Sequence, residues 1–307
     1  MDVLSDVLST VRLQSVVFAS AELPAPWGIR AEPREHFAFH IVARGRCWLE
    51  VDGGAPVHVS AGDVVVLARG HGHTLRDALD TPARPLGEML ASGAFAGPAR
   101  DAPGSTHLVC GCFRFDDLRG DVLLSALPAV IHTHELASDA GPWLAQTVRL
   151  LAYESGGEHP GAETVVNRLS DALFVYVIRS VLARLPEGES SWLRALVEPQ
   201  VGAALRLIHE DPSAPWSVAT LAARVGMSRS SFAERFTRVV GESPMQYLTR
   251  WRLQKAAGLL RGGAQGIAEV ASRVGYESDA AFNKAFKRSM GVTPGAYRRS
   301  LRRPSAA

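Results

Sequence analysis

One short helical passage is written twice near the C-terminus, about fifty residues apart. Residues 221–248 read LAARVGMSRSSFAERFTRVVGESPMQYL, and residues 269–298 read EVASRVGYESDAAFNKAFKRSMGVTPGAYR. Arg224-Val225-Gly226 returns as Arg273-Val274-Gly275. Phe232 and Phe236 return as Phe282 and Phe286, followed each time by a glycine (Gly241, Gly291), a proline (Pro244, Pro294) and a tyrosine (Tyr247, Tyr297). A short helical unit built twice around a glycine turn fits few architectures. A packed solenoid needs more copies than two, whereas paired helix-turn-helix insertion into DNA needs two.

Each copy opens on an amphipathic helix. Val218, Leu221, Ala222 and Val225 share one face in the first, as do Ile267, Val270, Ala271 and Val274 in the second. Gly226 and Gly275 follow where the chain must turn, a place that favours left-handed backbone. Ser228 and Ser278 then predict N-caps, because a serine oxygen accepts the orphan N–H groups of a helix start. Phe232 and Phe236 lie one helical turn apart and mark the core side of the second helix, as do Phe282 and Phe286. The opposite side carries Arg229, Ser230, Ala233, Glu234 and Arg238 in the first copy. In the second it carries Asp279, Ala280, Asn283, Lys284 and Lys287. Arg, Lys and Asn suit phosphates and base edges, so these are the expected DNA-binding positions. Glu234 can accept from cytosine N4 or can weaken base contact, leaving more of the reading to Arg229 and Ser230. Between the copies, residues 244–261 predict one long helix that starts on Pro244 and stops at Gly262-Gly263. It would hold the two readers at a fixed separation.

Charge separates along the chain in the same sense. Residues 199–307 hold 17 Lys and Arg against 7 Asp and Glu, while residues 1–198 hold 16 against 24. A chain of net charge +2 that divides its charge so has a basic module for a polyanion and an acidic module that needs none. Residues 190–307 are therefore expected to bind DNA alone, with affinity falling steeply as salt rises.

These residues carry a resemblance. Leu221-Ala222, Gly226-Met227-Ser228, Phe232, Phe236, Gly241, Pro244, Tyr247, Arg252-Leu253, Ile267, Val270-Ala271, Gly275-Tyr276, Phe282, Phe286, Gly291, Pro294 and Tyr297 are similar to the DNA-binding domain of the AraC/XylS family of bacterial transcription regulators. The match spans residues 200–303 and implies two helix-turn-helix units reading successive major grooves of promoter DNA.

The first 130 residues read differently. Phe37 to His40, Arg46 to Val51, Val57 to Val59, Val64 to Leu67 and Leu108 to Phe115 predict short strands between glycine-rich turns, which argues for a sandwich or barrel. Residues 80–105, rich in Pro, Ala and Gly, predict a mobile loop. The region resembles a cupin. Gly62, Ala68, Gly70 and His73 approximate the second cupin motif, and His73 falls on that family's metal-ligand histidine. The paired His and Glu of the first motif are missing. Ala38 stands near the Glu position, with His40 two residues on and on the same strand face.

His40, His73, Cys110 and Cys112 are the constellation with metal chemistry, since imidazole and thiolate are the donors zinc prefers. Cys110 and Cys112 share one strand face. Buried hydrogen-bonded histidines and plain hydrophobic cysteines explain the same residues equally simply. Residues 161–186 predict a strong helix whose apolar stripe includes Leu169, Leu173, Val177 and Val181. That stripe packs on its own domain or forms a homodimer seam, as the family implies. A second helix over residues 191–210 is expected to hinge around Glu198-Pro199-Gln200.

Three cysteines with no framework, no apolar run long enough to span a membrane and no export signal point to a reducing, cytoplasmic setting. The expected fold is α+β in two domains. A cupin-like N-terminal β-barrel occupies residues 1–158, linker and dimerisation helices 159–198, and an all-α domain with two helix-turn-helix motifs 199–307. The expected function is a transcription regulator whose barrel senses a small molecule or metal and which meets RNA polymerase at the promoter. The alternative is a metal-dependent cupin enzyme with a DNA-binding tail. A DNA-repair alkyl acceptor would need a Pro-Cys-His-Arg setting, and Cys110 sits in Val-Cys-Gly-Cys.

Overall fold

The computed structural model describes residues 2–11, 13–34, 36–93, 104–115, 123, 126–133, 141–156, 159–185, 191–263 and 265–301. Two compact units emerge. One is built on residues 13–116 and 127–185; the other joins the N-terminal helix α1 (Val3–Val11) to the helices beyond residue 190.

The first unit contains β1 (Leu13–Leu23), β2 (Gly28–Ala31), β3 (Phe37–Arg44), β4 (Arg46–Val51), β5 (Val57–Ser60), β6 (Val64–Leu67), β7 (His73–Arg76), β8 (Arg84–Pro85), α2 (Leu86–Ala91), β9 (Thr106–Phe115), β10 (Val130–His132), α3 (Gly141–Ser155) and α4 (Ala162–Leu182). They form two five-stranded sheets, ordered β1-β9-β3-β6-β10 and β5-β4-β7-β2-β8. Neither sheet closes, so the expected β-barrel is corrected to two open sheets sharing one core. Val42, Val65, Leu67, Leu108 and Cys110 of the first meet Ile29, Cys47, Leu49, Val59 and Leu75 of the second. Alternating strands look alike in a barrel and a sandwich; the edges decide, and they end here in the short β10 and β8.

The expected strands all form, while β1, β2, β7 and β10 add strands not read in advance. The segment expected as a loop instead holds β8 and α2 over residues 84–91; residues 94–103 of it lie outside the described residues.

The first sheet is buried on both faces, which is why Val64 to Leu67 reads as an unbroken apolar run. Its outer face takes α4. Phe174 of α4 lies 4.7 Å from Phe113 and 5.5 Å from Phe115, and Phe39 stacks on Phe113 at 4.6 Å. Gly111 leaves room for this, because a Cβ there would stand 2.3 Å from the Phe39 ring. Ser15 of β1 donates to Asp171 of α4 at 2.7 Å. The stripe of α4 is thus spent at home. Leu173, Val177 and Val181 are buried, and Leu169 alone of the expected seam is half-exposed. Residues 186–190, read as the end of this helix, lie outside the described residues.

The second unit adds α5 (Trp192–Val197), α6 (Pro199–Glu210), α7 (Val218–Arg224), α8 (Arg229–Val240), α9 (Pro244–Gly262), α10 (Ile267–Arg273), α11 (Asp279–Met290) and α12 (Pro294–Leu301). Residues 191–210 form two helices. Glu198 ends α5 and caps α6, accepting from Val201 N–H at 2.7 Å, and Pro199 takes the first helical position. The expected hinge is a packed corner, with Leu193, Ala195 and Val201 fully buried around it and Arg235 paired to Glu198.

The repeat is exact in its packing chemistry. Phe232 and Phe236 lie 5.6 Å apart, as do Phe282 and Phe286. Phe236 meets Tyr247 edge-on at 5.9 Å, and Phe286 meets Tyr297 at 5.6 Å. The capping serines work as read: Ser228 accepts from Ser231 N–H and Ser278 from Ala281 N–H. The two turns differ in crowding. Gly226 has φ +71° with open space around its missing Cβ. Gly275 has φ +83°, and a Cβ would sit 2.8 Å from the Ser213 carbonyl and 2.9 Å from the Arg252 guanidinium. Arg252 is itself pinned to the carbonyls of Pro212 and Ala214 at 2.6 and 2.9 Å. Gly226→Ala should therefore cost only the left-handed penalty, about 1–2 kcal/mol, and Gly275→Ala more, in urea unfolding. Equal losses would show that the Ser213 carbonyl and Arg252 both give way freely.

Candidate nucleic-acid interface

The reader helices α8 and α11 turn their phenylalanines inward and leave the other side to solvent. On α8, Arg229, Ser230, Glu234 and Arg238 are exposed, and Ala233 is half-buried. On α11, Asp279, Ala280, Lys284 and Lys287 are exposed. Asn283 is half-buried, and its amide donates to the Asp279 carbonyl of its own helix at 2.7 Å. Asp279 occupies the first turn of α11, where a carboxylate stabilises the helix start and would repel a phosphate. Three residues on these faces escaped the sequence reading. Ser231 and Thr237 flank Glu234, and Arg288 lies one turn beyond Lys284, all exposed. Helical spacing from Lys284 was the signal for Arg288.

One helix braces both readers. The N-terminal half of α9 buries Tyr247, Leu248 and Trp251, with Tyr247 against Phe236. Its C-terminal half places Leu253, Ala256, Ala257 and Leu260 in the core of Phe282 and Phe286. At 19 residues it is about 28 Å long, from ~1.5 Å per residue. That is close to the ~34 Å between successive major grooves.

The candidate metal residues lie in the sheet unit. His40 and Cys110 are cross-strand partners on the inner face, and His73 reaches them from the other sheet. His40 Nδ1 lies 3.1 Å from Cys110 Sγ, its Nε2 lies 2.7 Å from His73 Nε2, and His73 Nδ1 lies 3.0 Å from the His71 carbonyl. A carbonyl only accepts, so His73 Nδ1 carries the proton and its Nε2 is an acceptor. His40 Nε2–H then donates to it, and His40 Nδ1 accepts the Cys110 thiol proton. Burial pushes both histidines below their ordinary value, and burial pushes the Cys110 thiol up to about 12. The chain is satisfied in neutral form. His40 turns its two nitrogens to different partners, so only two donors face one point, and Cys112 is buried outside the chain. Among the described residues no three His, Cys, Asp or Glu form a metal-holding group. Zinc sites carry at least three protein donors, whereas two face one point here.

Two family models match the chain: a cupin over residues 2–183 and a helix-turn-helix domain over residues 221–300. A Streptomyces lividans protein described as AraC-like is 38% identical across 97% of this chain and 98% of its own length. The HTH-type transcriptional regulator AlkR of Acinetobacter baylyi is 31% identical over 97% and 99%. The RCS-specific HTH-type transcriptional activator RclR of Escherichia coli is 28% identical over 98% and 99%. The chain belongs to the AraC/XylS family of transcription regulators. It is a DNA-binding regulator with an N-terminal domain of the cupin family, open-sheeted though that domain is. Its relatives along the whole length are regulators rather than enzymes, and the cupin-enzyme alternative gives way to them. No helix among the described residues is long and apolar enough to cross a membrane.

Proposed function

We propose that this regulator reads promoter DNA with α8 and α11 in successive major grooves, as a homodimer, in answer to a small molecule held by the sheet unit. The observation that carries the reading is the matched pair of readers braced by α9. Arg238 on α8 and Lys284, Lys287 and Arg288 on α11 supply the phosphate-facing charge. Bound upstream of a promoter in the cytoplasm, the regulator would act on RNA polymerase, as its family pattern implies.

A cavity of about 410 Å³ in the sheet unit supports the effector reading. Arg44, His107 and Arg149 line it beside Glu22, and Ala43 and Val148 add apolar wall. This mix suits a small polar or anionic molecule better than a hydrocarbon. Pairing of two copies follows the family, and the exposed Trp143, Leu150 and Tyr153 of α3 give it apolar surface outside the unit's own core.

Lys284→Ala tests the DNA reading. It should weaken binding about equally on all duplexes and lower the slope of log affinity against log salt by about 1. A wild-type affinity indifferent to salt would remove phosphate contact, and the reading with it.

A further inference from the structure

The two readers are copies of one helix whose outer faces differ most at one central position, Glu234 in α8 and Lys284 in α11. Aligning Phe232 with Phe282 and Phe236 with Phe286 sets Ser230 against Ala280, Glu234 against Lys284, Thr237 against Lys287 and Arg238 against Arg288. The α11 face carries Lys284, Lys287 and Arg288, with Asp279 at its start and the Asn283 amide tied back to its own helix. The α8 face sets the short hydroxyls of Ser230, Ser231 and Thr237 around one carboxylate, with Arg229 and Arg238 towards its two ends. Glu234 is exposed and makes no hydrogen bond or ion pair among the described residues. Its neighbour Arg235 is taken by Glu198, and Arg238 one turn on does not close on it.

A bare carboxylate at the centre of a helix that enters DNA is costly unless it meets a donor. Phosphates repel it. In the major groove guanine shows N7 and O6 and thymine shows O4, all acceptors, so both repel it as well. Adenine offers N6–H but sets the N7 acceptor beside it. Cytosine offers N4–H with only C5–H next to it, and is the one base edge that welcomes a carboxylate without an opposing lone pair.

We infer that Glu234 is a specificity residue that requires cytosine at one position of the α8 half-site, while α11 supplies affinity with little base preference. This rests on the reading that α8 enters the major groove. The two copies then divide the work: the repeat keeps its fold while its outer faces diverge into a selector and an anchor.

Selection of the full-length chain on a library of duplexes with randomised sites tests this. The wild type should enrich a motif with one nearly invariant cytosine. Glu234→Ala should keep the rest of the motif and lose preference at that position, by about tenfold or more. Glu234→Gln should move the preference there from cytosine to adenine, because an amide pairs N6–H and N7 together. If Glu234→Ala instead tightens binding to every duplex alike and leaves the motif unchanged, the carboxylate only repels and the proposal is overturned. If the wild type enriches nothing and Lys284→Ala changes nothing, it is the DNA reading of these helices that fails, not the role of Glu234 within it.

Discussion

Asp6→Ala should loosen the helical unit by about 3 kcal/mol, the low end for breaking a buried ion pair. Asp6 sits in α1, more than two hundred residues from its partners in sequence. Its side chain is 2% exposed. One oxygen accepts from His209 Nδ1 of α6 at 2.9 Å, and the other pairs with Lys255 of α9. The chain continues from His209 Nε2 to the Tyr247 hydroxyl at 2.7 Å, and Trp192 N–H donates to that hydroxyl at 3.3 Å. With His209 neutral, each link has one donor and one acceptor. Removing the carboxylate leaves the Lys255 ammonium without its counter-ion over the Trp251 ring and the His209 N–H without an acceptor. Lys255 keeps some access to water, which holds the loss to the low end. Amide exchange of α6 and α9 in the full chain should speed by about 100-fold. Asp6→Asn, which keeps an acceptor but no charge, should fall between. Unchanged exchange in both variants would mean that α1 merely rests on this surface. A fragment beginning at residue 190 lacks α1 and is expected to show the same loosening.

The same network sets a pH response in two steps. Burial holds His209 below the ordinary histidine value of 6.5, with Lys255 and Arg250 of α9 adding to this and Asp6 opposing it. The unfolded chain therefore takes up a proton that the folded one refuses, and stability falls as pH drops below 6.5. For Asp6, burial alone would raise the carboxyl, but the hydrogen bonds from His209 and Lys255 outweigh it and hold it below the ordinary 3.8. Its contribution is present above that value and is lost as pH falls through the folded one. Asp6→Asn should erase the second step.

Sequence order made the DNA-binding half readable because its signals are local. Phenylalanines one turn apart, a glycine turn and a capping serine all act within a dozen residues, and each does in the structure what its spacing implies. What stayed hidden depends on distance. Asp6 reads as an ordinary acidic residue near the N-terminus; only the fold brings His209 and Lys255 to it. The stripe of Leu173, Val177 and Val181 says that a helix face must be covered, not whether β1 and β9 or a second copy covers it. Strand spacing puts His40, His73 and Cys110 on inward faces, yet whether donors converge on one point or line up in a chain turns on ring orientation across two sheets.

Phe286→Ala should cost about 3–5 kcal/mol, the range for truncating a fully buried aromatic ring. The ring is wholly buried, 5.6 Å from Phe282 and 5.6 Å from Tyr297, in a cluster that also holds Leu253, Ala256, Leu260 and Val270. That cluster is small, so a cavity in it has little surrounding structure to collapse upon. The damage should stay on one side. Phe232, Phe236 and Tyr247 form the core of the first copy around the other half of α9 and, among the described residues, share no ring contact with Phe286. The variant is expected to protect only the α8 half of the footprint, with affinity reduced most at low salt, where the lysines of α11 contribute most. Phe236→Ala should give the mirror result, leaving a salt-sensitive complex with little sequence preference. Loss of the whole footprint in both variants would show that the two copies fold as a single cooperative block, so that α9 transmits the damage instead of dividing it.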